Sequence, residues 1–152
     1  MMTQQGIANH YQRQRARGAS PVCLVVLLYD AAIESLRRAG LAAESGRIEQ
    51  RVAASNHVVL VINELSRSLD HKRGGEIARN LDQFYAVARA RLMEANLRAD
   101  PHIFEELVGM FCSLREAWQQ VEIKTAAPVN AANTNGATLS SDCESSSAGW
   151  SA

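Results

Sequence analysis

Four stretches of helical hydrophobic periodicity follow one another between residues 20 and 123. The last is the most regular. Ile103, Leu107, Met110, Leu114, Ala117 and Val121 recur at alternating spacings of four and three, which lays one apolar seam along a helix, and Phe111 and Trp118 widen it. The first stretch opens at Ser20-Pro21. A serine oxygen accepts an orphan backbone N–H, and proline fits the first turn, where its missing N–H costs nothing. This predicts a helix from about Pro21 to Ala43, with Gly46 as the break. A second helix is expected from Ile48 to His71, with Ile48, Val52, Val59, Ile62, Leu65 and Leu69 inward. The Gly74-Gly75 pair then leads into a third, from Glu76 to Arg98, with Ile77, Leu81, Phe84, Ala88, Leu92 and Ala95 inward. Asp100-Pro101 repeats the cap-and-proline start. Short connections make sequential helices antiparallel neighbours, so the expected fold is all-α: an antiparallel, up-down-up-down four-helix bundle.

The two ends lack such patterning. Residues 1–19 have no helical period and are expected to form a flexible N-terminal arm. Residues 124–152 are rich in Ala, Ser, Asn and Thr, with Val129 and Leu139 as their only Leu, Ile, Val or Phe residues. They bury too little to offset the entropy of ordering and are expected to be a disordered tail. The bundle domain is therefore placed at 20–123.

Composition agrees with helices. Of the 152 residues, 47% are hydrophobic but only 5% aromatic, with three prolines and nine glycines, which disfavours a sandwich or barrel. The formal charge of zero hides a split. Arg13, Arg15 and Arg17 give the arm +3, the 12 basic and 14 acidic residues of 20–123 give −2, and the tail carries −1. A slightly acidic bundle is a poor nucleic-acid binder, which needs a basic patch or stripe. Cys23, Cys112 and Cys143 are odd in number and widely spaced, which indicates neither a disulfide framework nor a zinc site.

The basic arm before Val22–Leu28 has the outline of a secretory signal, but the apolar run is short and Asp30 and Glu34 follow at once. No stretch approaches the ~20 apolar residues of a membrane span, so membrane insertion is not expected.

Catalytic patterns are missing. A di-iron bundle needs Glu-x-x-His pairs, yet Ala54, Ser68 and Ala99 stand three before His57, His71 and His102. There is no HExxH, phosphate loop or nucleophile elbow, so neither an enzyme nor a metal or other cofactor is expected. Glu105-Glu106 suits the start of a helix, and His57 reads as a core or rim histidine. Asp30 is either a solvent-facing break in its stripe or a polar anchor beside a groove.

The anomaly is surplus apolar surface. Residues 21–29 carry no charge, and at 100° per residue Val22–Leu28 covers the whole circumference of a helix. Val58-Val59-Leu60-Val61-Ile62 repeats the feature. One bundle core cannot use every face of both helices. The surplus is either buried in full, or pairs two copies of the chain, or forms a groove for a partner helix.

Several segments together carry a family resemblance. Ser20-Pro21 with Leu24-Val25-Val26-Leu27-Leu28-Tyr29-Asp30-Ala31-Ala32-Ile33 resembles the opening helix of the FliS-like flagellin export chaperones. Gly74–Leu81 with Phe84-Tyr85, Arg91–Leu97 with Asp100, and Leu114-Arg115-Glu116-Ala117-Trp118 resemble later elements of that family, in order over about residues 7–122. Leu27, Ala31, Val87-Ala88 and Ala90 depart from the usual residues, and the tail has no counterpart.

The resemblance implies a cytoplasmic helical chaperone that wraps the disordered C-terminal segment of flagellin, prevents early polymerisation and helps deliver it to the cytoplasmic part of the flagellar export gate. It also implies an arm near the client, pointing to Ile7 and Tyr11. Leu24, Leu28, Tyr29, Val58, Val61 and Leu65 are the expected groove residues, with Ile7 and Tyr11 covering the groove when no client is bound. An anti-sigma factor or another flagellar protein as partner, a homodimer, and a purely structural bundle remain open at this level.

Overall fold

The computed structural model describes residues 3–16, 18 and 20–130, with the side chains of residues 11, 14–16 and 122–130 outside the description. The described residues form five helices: α1 (Gln4–Ala16), α2 (Pro21–Glu44), α3 (Ile48–Arg67), α4 (His71–Arg98) and α5 (Pro101–Asn130). No strand occurs among the described residues.

Local chemistry sets the boundaries. Ser20 Oγ accepts from the Cys23 N–H at 3.0 Å, with Pro21 beginning α2. Past the end of α2, Gly46 takes the left-handed backbone (φ 70°) that lets the chain turn into α3. The third connection closes as expected, with Asp100 Oδ1 accepting from the His102 N–H at 3.0 Å.

The second connection differs from the sequence expectation. α3 stops at Arg67 instead of reaching His71, and α4 begins at His71 instead of Glu76. The reason is Asp70, whose carboxylate caps α4 by accepting from the Lys72 and Arg73 N–H groups at 3.1 and 3.2 Å. The glycine pair lies inside α4 as a kink, with Gly75 at φ 50°, ψ −119°.

Both ends also differ. Residues 4–16, expected as an unpatterned arm, form α1 with Ile7 fully buried. The helical backbone of α5 runs past Lys124 to Asn130. The rest of the expected tail, 131–152, lies outside the described residues.

α2 is the hub. It packs most extensively against α3 and α5, while α4 contacts both α3 and α5, and α1 lies on α3 and α2. The principal core joins Leu28, Tyr29, Ile33 and Leu36 of α2 with Val58, Val61, Ile62 and Leu65 of α3, Tyr85, Ala88 and Leu92 of α4, and Phe104, Leu107 and Phe111 of α5. A smaller cluster holds Cys23, Leu24, Val26 and Leu27, closed by Val22 and Trp118.

Two predicted stripes rotate slightly. In α4 the buried line runs through Ala78, Tyr85, Ala88, Leu92 and Ala95, which leaves Ile77 69% exposed. In α5 the aromatic residues Phe104 and Phe111 take the core, and Ala117 and Val121 face outward.

Candidate functional site

The surplus apolar surface of α2 and α3 is buried in this chain. Leu28, Tyr29, Val58, Val61 and Leu65, the expected client-groove residues, are all within the principal core. Leu24 lies apart from them, in the smaller cluster against Trp118. Ile7 joins the same core as the α2 and α3 residues, so α1 covers part of the face that the bundle leaves over. Tyr11 lies in α1, but its side chain is outside the described residues.

Exposed apolar side chains occur elsewhere. Ile77, Val87, Met93 and Leu97 project from α4, and Leu41 and Ile48 mark the α2–α3 corner. Sequence reasoning counted the apolar residues of α2 and α3 without α1 as a fifth packing partner.

The cover is held by more than Ile7. Gln4 Nε2 in the first turn of α1 donates to Glu64 Oε2 at 3.1 Å, and Glu64 is only 7% exposed. Arg67 Nη1 stands 3.6 Å from the same oxygen, from a largely exposed position. Periodicity did contain a signal for Glu64: it stands three residues after Val61, at the edge of the same helical face.

Beneath this surface lies a polar and aromatic centre. The hydroxyls of Tyr29 and Tyr85 share a hydrogen bond of 2.6 Å, fully buried. Tyr29 stacks at an angle on Phe111 (5.6 Å between centroids), and Phe84 meets both Tyr85 and Phe111 edge-on. Burial pushes both phenols above the ordinary tyrosine range, so they stay neutral and serve as a matched donor and acceptor. Asp30 resolves as a structural anchor, because Arg115 of α5 grips its carboxylate through both Nε and Nη2.

On the other side of α2, buried Ser35 Oγ lies 2.5 Å from His57 Nδ1 and accepts from Arg38 Nη2 at 3.3 Å. The Ser35 oxygen can accept from both Arg38 and an Nδ1–H, or its hydroxyl can donate to a bare Nδ1, so the tautomer of His57 sets the direction of this bond. Burial lowers the His57 pKa, Arg38 lowers it further, and Glu34 opposes them. The pair resembles a nucleophile and base, but Ser35 has no access to solvent. Among the described residues no group of three His, Cys, Asp or Glu side chains could hold a metal ion. No described helix is long and apolar enough to cross a membrane.

The apolar face of α2 and α3 thus lies beneath a basic N-terminal helix. A family model, that of flagellar protein FliS, matches residues 3–125, from α1 through most of α5. The chain belongs to the FliS family of flagellar proteins. It is 36% identical over 130 residues to the flagellar secretion chaperone FliS of Salmonella typhimurium, covering 83% of this chain and 96% of that protein. FliS of Campylobacter jejuni is 32% identical over 113 residues, covering 74% and 88%. FliSB of Pseudomonas aeruginosa, also a flagellar secretion chaperone, is 32% identical over 103 residues, covering 68% and 82%. The matched range of the FliS model begins at residue 3, so the helix that the apolar periodicity overlooked belongs to the family unit.

Proposed function

We propose that this protein is a flagellar export chaperone of the cytoplasm, not an enzyme. It binds the C-terminal segment of flagellin, keeps it from polymerising and presents it to the cytoplasmic part of the export gate. The observation that carries this reading is the FliS match over residues 3–125, supported by relatives that are named flagellar secretion chaperones. The framework is read as an antiparallel up-down-up-down bundle of α2–α5. Connections of two or three residues between successive helices, and contacts linking α2 to α3, α3 to α4, α4 to α5 and α5 to α2, support it.

The mechanism follows from the cover. Ile7 is buried against the core that contains Leu28, Tyr29, Val58, Val61 and Leu65, so the groove is closed in the free chain and its apolar surface is kept from water. A client helix gains access when α1 leaves, and its own apolar face takes the place of Ile7. Leu24, near Trp118, extends the candidate surface toward the start of α2. Tyr11 belongs to the same cover by its position on α1. The direct test is a pull-down with flagellin, with and without its C-terminal segment: binding is expected to need that segment.

One observation favours a second reading, self-association. Ala86, Ala90, Met93 and Leu97 are all exposed on α4 and spaced 4, 3 and 4, the seam of a helix pair. Sedimentation of wild type and Leu97→Lys separates the readings. A dimer lost in the variant supports pairing through α4, and a wild-type monomer removes it.

A further inference from the structure

We propose that the Glu64 carboxylate is the polar recognition point of the surface beneath α1: it takes a hydrogen-bond donor from a partner helix that presents an aliphatic side chain three residues further on. The proposal rests on the chaperone reading above.

Glu64 stands on α3 beside the buried Val61, Ile62 and Leu65, with its side chain 10% exposed. A carboxylate so placed has lost most of its hydration and needs donors. Arg67 contributes its charge from 3.6 Å, beyond a hydrogen bond, on the same helix and largely in solvent. The hydrogen bond itself comes from Gln4, on the element that covers this face.

Gln4 and Ile7 are three residues apart on α1, so they share one side of it. α1 therefore presents two matched groups to α2 and α3: an amide donor for Glu64, and one turn later an aliphatic side chain for the core. A helix that takes the place of α1 meets the same two demands. A Gln, Asn, Lys or Arg at the first position satisfies Glu64. An apolar residue there strands a desolvated carboxylate, and an acidic residue adds repulsion. Apolar burial alone would accept any amphipathic helix, whereas Glu64 selects among them.

The two roles of Glu64, holding α1 and holding the partner, predict opposite signs. The experiment titrates a peptide of the flagellin C-terminal segment into full-length wild type, Gln4→Ala, Glu64→Ala, Glu64→Gln and the double variant Gln4→Ala/Glu64→Ala. Circular dichroism confirms helix content, and Glu64→Gln preserves side-chain shape. Gln4→Ala is expected to bind the peptide more tightly, because α1 is loosened. Adding Glu64→Ala to Gln4→Ala is expected to weaken binding about tenfold, the scale of one lost charge-assisted hydrogen bond, whereas Glu64→Ala alone also loosens α1 and so shows a smaller loss. Glu64→Gln falls between.

Replacing each Gln, Asn, Lys and Arg of the peptide by Ala in turn should reveal one position that costs about tenfold on wild type and little on Glu64→Ala. If Gln4→Ala/Glu64→Ala binds as tightly as Gln4→Ala, or every peptide substitution costs the same on wild type and Glu64→Ala, Glu64 is no more than a latch for α1 and the proposal is overturned. A wild-type protein that fails to bind the peptide overturns the chaperone reading itself and this inference with it.

Discussion

Replacing Ile7 by Ala tests the cover in energetic terms. Ile7 is fully buried, and truncating such a side chain costs about 2–5 kcal/mol. α1 packs chiefly on α2 and α3, whereas the principal core is shared by all four longer helices. The loss should therefore fall on docking of α1 and not on global unfolding. Taking about 2–3 kcal/mol, because an undocking helix relaxes the cavity it leaves, the opening constant of α1 rises roughly 30- to 150-fold. Native-state hydrogen exchange reads this directly. Amides of α1 lose protection by that factor, while those of α2 and α5 keep theirs. Affinity for the flagellin C-terminal segment should rise, up to the ratio of closed to open chains in wild type. Two results would refute the reasoning: loss of protection spread evenly over all helices, which would make Ile7 ordinary core, or a fall in client affinity, which would make it a client contact instead of a cover.

Three further outcomes follow from the geometry. Tyr85→Phe takes from the Tyr29 hydroxyl its buried partner across α2 and α4 and is expected to cost about 1–3 kcal/mol, with Tyr29→Phe/Tyr85→Phe recovering part of it; additive losses in a denaturant double-mutant cycle would contradict this. His57 has a lowered folded-state pKa and faces Arg38 and Glu34, so the unfolded chain binds its proton first: stability is full above about pH 6.5 and declines below it, a slope that His57→Gln should flatten in melts between pH 7 and 5. Gly75→Ala places a side chain at φ 50°, ψ −119°, and a loss of about 1–3 kcal/mol in thermal melts, against little for Gly109→Ala in open space, would show that the kink is held by the backbone.

Most of the helical framework was legible because caps and periodicity act locally. Ser20-Pro21 and Asp100-Pro101 mark two helix starts correctly, since a capping oxygen and a missing N–H work within one turn. Asp70 was passed over because the Gly74-Gly75 pair is a louder signal, though a carboxylate with two N–H donors in reach outweighs it. α1 was invisible to periodicity. Among its described side chains Ile7 is the single fully buried one, and one apolar side chain makes no stripe. Apolar excess on α2 and α3 was real, but only tertiary structure says what covers it. Glu64 and the Tyr29–Tyr85 pair were missed for a related reason: their partners lie 60 and 56 residues away, and no local rule reaches that far.

Four residues separate the end of α1 from the start of α2. A segment tethered that closely competes for its site at an effective concentration on the order of millimolar, whatever the concentration of the protein. A free helix at micromolar levels must then bind roughly a thousandfold more strongly than α1 does to displace it. Every copy of the chain thus carries its own affinity threshold. Weak amphipathic segments, common on nascent chains, fall below it, and a partner that clears it does so by contacts that α1 lacks.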